Sequence, residues 1–132
     1  MRTIKFYLRP LLQSRHYLEV RIYDKQPIMV QQAHRDGSII GQFKAAHCGL
    51  DHNKTSHRIG IVYLYRNPAL RRDAIHELGH AACHYVREIR QLSLDTPANK
   101  FEASFSEELL CEAMENYVGR FELEIYNRRH LL

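Results

Sequence analysis

Along the first half of the chain apolar and polar positions alternate. In residues 16–23, HYLEVRIY, Leu18, Val20 and Ile22 share one face while Glu19, Arg21 and Tyr23 share the other, the period of two of a half-buried strand. Residues 28–33 and 38–43 flank Asp36-Gly37, a dipeptide suited to the positive φ angles of a tight hairpin, and are expected to pair across it. The segment IGIVYLY at 59–65, rich in β-branched and aromatic residues, predicts a further strand. The stretch before it, AAHCGLDHNKTSH at 45–57, reads as a polar loop. After residue 66 the spacing becomes helical. Asn67-Pro68 is a helix start, because Asn can cap free N–H groups and proline in the first turn forfeits no hydrogen bond. That helix should run to Arg90, with Ile75, Leu78, Ala82, Tyr85, Val86 and Ile89 as its apolar stripe. A linker over 92–99 precedes a second helix, begun either at Asp95-Thr96-Pro97 or at the capping-box pattern Ser104-x-x-Glu107. Its buried side would be Phe105, Leu109, Leu110, Ala113, Met114, Tyr117 and Phe121. The pattern predicts one α+β domain over 1–132, with an antiparallel sheet within about 1–66 and helices within about 67–127.

Composition changes this picture in three places. The chain has 132 residues, 45% hydrophobic and 26% charged, a balance that fits a folded domain and excludes low-complexity and disordered classes. Its three cysteines, Cys48, Cys83 and Cys111, have no CxxC spacing, so neither a disulfide framework nor a zinc ribbon is expected, and a reducing, cytoplasmic setting is. Charge or proline interrupts the first sixteen residues every few positions, which predicts neither a signal segment nor a membrane span there. Residues 1–66 hold eleven Lys and Arg against four Asp and Glu, whereas residues 67–132 hold eight against eleven. The basic half admits nucleic acid or an acidic protein as a partner, on charge asymmetry alone.

Nine histidines are the compositional excess, and two of them carry a motif. His76-Glu77-Leu78-Gly79-His80 is an HExxH sequence inside the first predicted helix. Histidines four apart project from adjacent turns, so both imidazoles can reach one tetrahedral zinc, with the intervening Glu beside its open position. A catalytic zinc takes three protein ligands. Val86 occupies the position six residues after His80 where a third histidine could follow, and His84 continues around the helix, which suits a supporting role better than ligation. The acidic residues of the second helix are the better source. Glu107 lies nearest the apolar side but is also the partner of Ser104 in the capping box. Glu108 has Glu112 one turn on, placed to accept a hydrogen bond from a ligand histidine's other ring nitrogen. Glu108 is therefore the expected third ligand, Glu107 the fallback and Glu112 its support. His47, Cys48, His52 and His57 form a weaker candidate for a second metal site, with no recognised finger spacing.

HELGH, followed by a helix containing EELLCEAMENYV, resembles the gluzincin branch of the zincin metallopeptidases, whose small single-domain members include ImmA/IrrE-like and phage-carried proteins. The resemblance covers about 59–120 and departs from the family where Glu112 stands in place of the usual Asn or Asp. It implies a zinc metalloendopeptidase acting on peptide or protein. His76, His80 and Glu108 would bind zinc, and Glu77 would be general base and then general acid. It also implies that strand 59–65 is the edge along which an extended peptide pairs, with Tyr63, Tyr65 and Arg66 near its end. The alternative is a catalytically silent, zinc-stabilised module that docks on nucleic acid or an acidic protein through the basic half. Retention of Glu77 favours the enzyme, because a structural site has no need of a base.

Overall fold

Alternation begins earlier than residue 16. The computed structural model describes residues 3–37, 41–50 and 56–132, and its first strand is β1, Ile4–Leu8, with Ile4, Phe6 and Leu8 buried and Lys5 and Tyr7 outward. Strand β2, Tyr17–Tyr23, pairs antiparallel to it, Phe6 opposite Val20.

The hairpin expected around Asp36-Gly37 is replaced by a helix, α1, Gln26–Arg35. Pro27 sits in its first turn, and Met29, Val30 and Ala33 are buried at helical rather than alternating spacing. Asp36-Gly37 ends this helix: Gly37, at φ +68°, turns the chain while its N–H donates to the His34 carbonyl. A glycine at positive φ serves a helix stop as well as a hairpin, and residues 28–33 are apolar enough for either. Residues 38–40 of the expected second hairpin strand lie outside the described residues.

The chain passes through α1 and a further short strand before Arg58–Tyr65, β4, which pairs parallel with β2, Val20 opposite Val62. The expected antiparallel sheet is thus a mixed one. The presumed polar loop contains a short strand, β3, Ala46–Gly49, antiparallel to β4, and the order is β1-β2-β4-β3. Strand β4 is interior and buried from Ile59 to Leu64, so the outer edge belongs to β3. Tyr23, Ile61 and Tyr63 on one face pack against α1. Val20, Val62 and Leu64 on the other meet the two long helices.

The first of these, α2, spans Leu70–His84. Asn67 Oδ1 accepts the Ala69 N–H (2.8 Å), closing the turn that leads into it. Ala74, Leu78, Ala81, Ala82, Tyr85 and Val86 are buried, whereas Ile75, placed in the predicted stripe, is 42% exposed. The helix widens into a π turn over Tyr85–Ile89 and stops at Gln91 (φ +55°), where the Leu92 N–H returns to the Val86 carbonyl. The second, α3, spans Lys100–Asn127, and neither expected start is the one used. Asn99 Oδ1 accepts the Glu102 N–H (2.8 Å) and Glu102 reaches back to the Ala98 N–H (3.1 Å), a variant of the capping box that lies after Asp95-Thr96 and before Ser104. Ser106, Leu109, Ala113, Tyr117 and Phe121 face inward, leaving Phe105 at the edge. Arg71 at the start of α2 pairs with Glu122 near the end of α3 (2.8 Å) and Arg90, beyond the other end of α2, lies over the Phe105 ring near the start of α3, so the helices run antiparallel. No helix among the described residues is long and apolar enough to cross a membrane.

Candidate metal centre

A helix fixes what HExxH can do. Buried Ala74, Leu78, Ala81 and Ala82 hold α2 against the sheet, which leaves His76 and His80 exposed on the flank beside β3. Their Nε2 atoms approach to 3.2 Å, with the rings edge to face (82°). Two ligands bonded at 2.0–2.1 Å to one tetrahedral ion stand about 3.3 Å apart, so this spacing, here that of a hydrogen bond, is also one that a shared metal would accept. Exposed imidazoles gain little from bonding one another in place of water, which makes the convergence a property of the i, i+4 geometry.

Glu77 lies deeper, in the seam between α2 and β3, and is only 8% exposed. Its carboxylate accepts the backbone N–H of His47. Burial raises its pKa above the ordinary carboxylate value. Charges on His80 and His76 pull it down, Asp73 pushes it up, and the His47 N–H lowers it, with burial prevailing. The result is a carboxylate of enhanced basicity next to the histidine pair.

A cleft of about 650 Å³ opens beside this glutamate, lined among others by Ala46, His47, Glu77, His80, Cys83 and His84. Its wall is β3, held close by two glycines. The His84 imidazole lies on Gly49, where an added Cβ would stand 2.7 Å from the ring, and His84 Nε2 donates to the Leu50 carbonyl (3.2 Å). His47 leans over Gly60, where a Cβ would stand 2.9 Å from its Nε2, and that nitrogen is buried with no hydrogen-bond partner among the described residues. The His47 and His84 rings are 5.7 Å apart. Burial, and then the positive charges of His84 and His80, push the His47 pKa down to about 4.

No protein-family model, curated protein or solved structure matches this chain. The site therefore rests on its own geometry. That geometry joins His76, Glu77 and His80, and it adds His47, which the sequence offered as part of a weaker, separate metal site, and His84, offered as a supporting neighbour. The signal for them was Gly49 and Gly60, small residues at strand positions where another group must come close. Glu107, Glu108 and Glu112 are exposed on α3 and none lines the cleft. Among the described residues no three His, Cys, Asp or Glu side chains are grouped to hold a metal ion. Neither Tyr63, Tyr65 nor Arg66 lines the cleft: Tyr63 donates to Asp36 (2.9 Å) on the α1 face and Arg66 pairs with Asp24. Of the weaker histidine set, Cys48 packs on the α1 side, opposite His47, and His52 lies outside the described residues.

Proposed function

We propose that the chain is a zinc-dependent metallopeptidase in which His76 and His80 bind the ion and Glu77 is the general base. The 3.2 Å approach of the two Nε2 atoms carries this reading. The donor chemistry fits, since two neutral imidazoles on one helical face suit zinc and leave room for a carboxylate ligand. Glu108 of α3 is the third donor in this proposal and Glu107 its alternative, with Glu112 supporting. Zinc held there would polarise the scissile carbonyl and favour hydroxide at neutral pH.

The remaining chemistry belongs to the chain itself. Glu77, held by the His47 N–H and desolvated, takes a proton on its carboxylate from the attacking water and delivers it to the leaving amine nitrogen. The outer edge of β3 offers main-chain groups to an extended peptide, in the place the sequence assigned to 59–65. Such pairing would draw a substrate along the wall formed by Ala46 and His47, past Glu77.

Glu77→Gln tests the assignment. Zinc content should be unchanged while cleavage of an unfolded protein substrate falls by about 10²–10⁴. Equal cleavage by the variant and the wild type would remove Glu77 from the reaction. Metal analysis of Glu108→Gln against Glu107→Gln then decides the third donor, the variant that loses zinc being the ligand.

A further inference from the structure

The face of the sheet turned away from α2 and α3 is only partly covered. Helix α1 packs on β2 and β4 and leaves the outward side of β1 open. That side presents Lys5 and Tyr7, and Arg9 follows at the strand's end. Tyr7 is 54% exposed and meets the ring of Tyr17 on β2 edge to face, centroids 5.1 Å apart. The one carboxylate of β2, Glu19, is 4% exposed and lies beneath Arg21 and Arg58, both of which pair with it. Arg21 is itself paired with Asp36, whose carboxylate is part-exposed at the α1 end of this face, so the free groups shown along β1 are the Lys5 ammonium, the Arg9 guanidinium and the Tyr7 phenol.

Two grooves extend it. One, of about 450 Å³, is lined by Thr3, Lys5, Arg21, Tyr23, Ile28 and Gln32. The other, of about 380 Å³, rounds the free edge of β1 to reach α3 and is lined by Tyr7, Arg9, Leu12, Asn116 and Arg120. No carboxylate lines either, and among the described residues Lys5, Arg9 and Arg15 form no ion pair.

We propose that this face binds single-stranded nucleic acid along β1, with a base stacked on Tyr7 and phosphates on Lys5 and Arg9. The complementarity is specific in kind. A polyanion answers the cations, but an acidic peptide would leave the exposed tyrosine unused, and a duplex keeps its bases stacked inside, out of reach of a ring standing on a sheet. This surface lies on the opposite side of the sheet from Glu77, so the proposal stands apart from the peptidase reading.

Fluorescence anisotropy with a labelled single-stranded oligonucleotide of about 16 nucleotides, DNA and RNA in separate titrations, tests it. Tyr7→Ala should weaken binding about tenfold and Tyr7→Phe should preserve it, as loss and retention of one stacking platform require. The pair Lys5→Gln with Arg9→Gln should lower the slope of log K against log salt by about 1.4, the value for two phosphates of a single strand. Glu77→Gln should bind like wild type. Absence of binding at low salt, equal affinity for duplex or polyglutamate, or indifference to both Tyr7→Ala and the double substitution would overturn the proposal.

Discussion

His47 is the residue whose titration most directly reports the seam between β3 and α2. Its pKa lies at about 4, below the ordinary 6.5, because burial and the charges of His84 and His80 disfavour the imidazolium. Between those values the folded chain binds fewer protons here than the unfolded chain. Stability from this group is therefore present above about pH 6.5, and is lost as pH falls through 4. The span corresponds to about 3 kcal/mol. Glu77 contributes with the opposite sign, since its raised pKa favours the folded state while protonated and that contribution fades as pH rises past it. Urea midpoints of metal-free protein at pH 4 and 7, for wild type and His47→Gln, separate the two. The variant should lose most of the gain between pH 4 and pH 7. Five letters of sequence made the grouping of His76, Glu77 and His80 legible, because i, i+4 spacing on a helix is local. The partner of Glu77 was not legible, because a backbone N–H from a strand thirty positions earlier leaves no mark on composition.

The elements show where local patterns compete. Met29, Val30 and Ala33 satisfy a helix and Asp36-Gly37 satisfies both a hairpin and a helix stop, so α1 was decided by packing on Ile61 and Tyr63. Strand β3 has four residues and no alternation, and what makes it a strand is pairing with β4. Gly60 is where that pairing is tightest. A Cβ there would meet His47 Nε2 at 2.9 Å, Leu18 Cδ1 at 2.9 Å and the Cys48 carbonyl oxygen at 3.1 Å. Gly60→Ala must push β3 outward against a backbone atom and should destabilise the fold by about 1–3 kcal/mol, read from a denaturation curve. If His47 is displaced with it, the variant's Glu77 loses its backbone donor and peptide cleavage falls as well. The cap of α3 is a milder case. Asn99→Ala leaves the Glu102 N–H without its acceptor and should cost about 1 kcal/mol in the same measurement, whereas Ser104→Ala, inside the helix, should be near neutral.

At the scale of the molecule, the α+β class and the division into a sheet half and a helical half were legible in the change from period two to period 3.6 near residue 66. The parallel pairing of β2 with β4 was not, because the connection between them runs through α1 and β3, which read as a hairpin and a loop. Pairing of β3 with the other side of β4 makes β3 an edge of the sheet, so β4, expected at the edge, is interior. The second helix locks the arrangement: Phe121 is fully buried and its ring lies 5.9 Å from that of Phe6, tying α3 to β1. The sheet thus separates a histidine-lined cleft on one side from a cationic, tyrosine-bearing face on the other. The central claim is that the cleft side is built around a metal. The most direct test is the zinc content of wild type, Glu77→Gln and His80→Ala purified in parallel. About one zinc per chain in the first two, lost in His80→Ala, is the predicted result. Wild type free of zinc after incubation with the ion, or His80→Ala retaining as much as wild type, would contradict it.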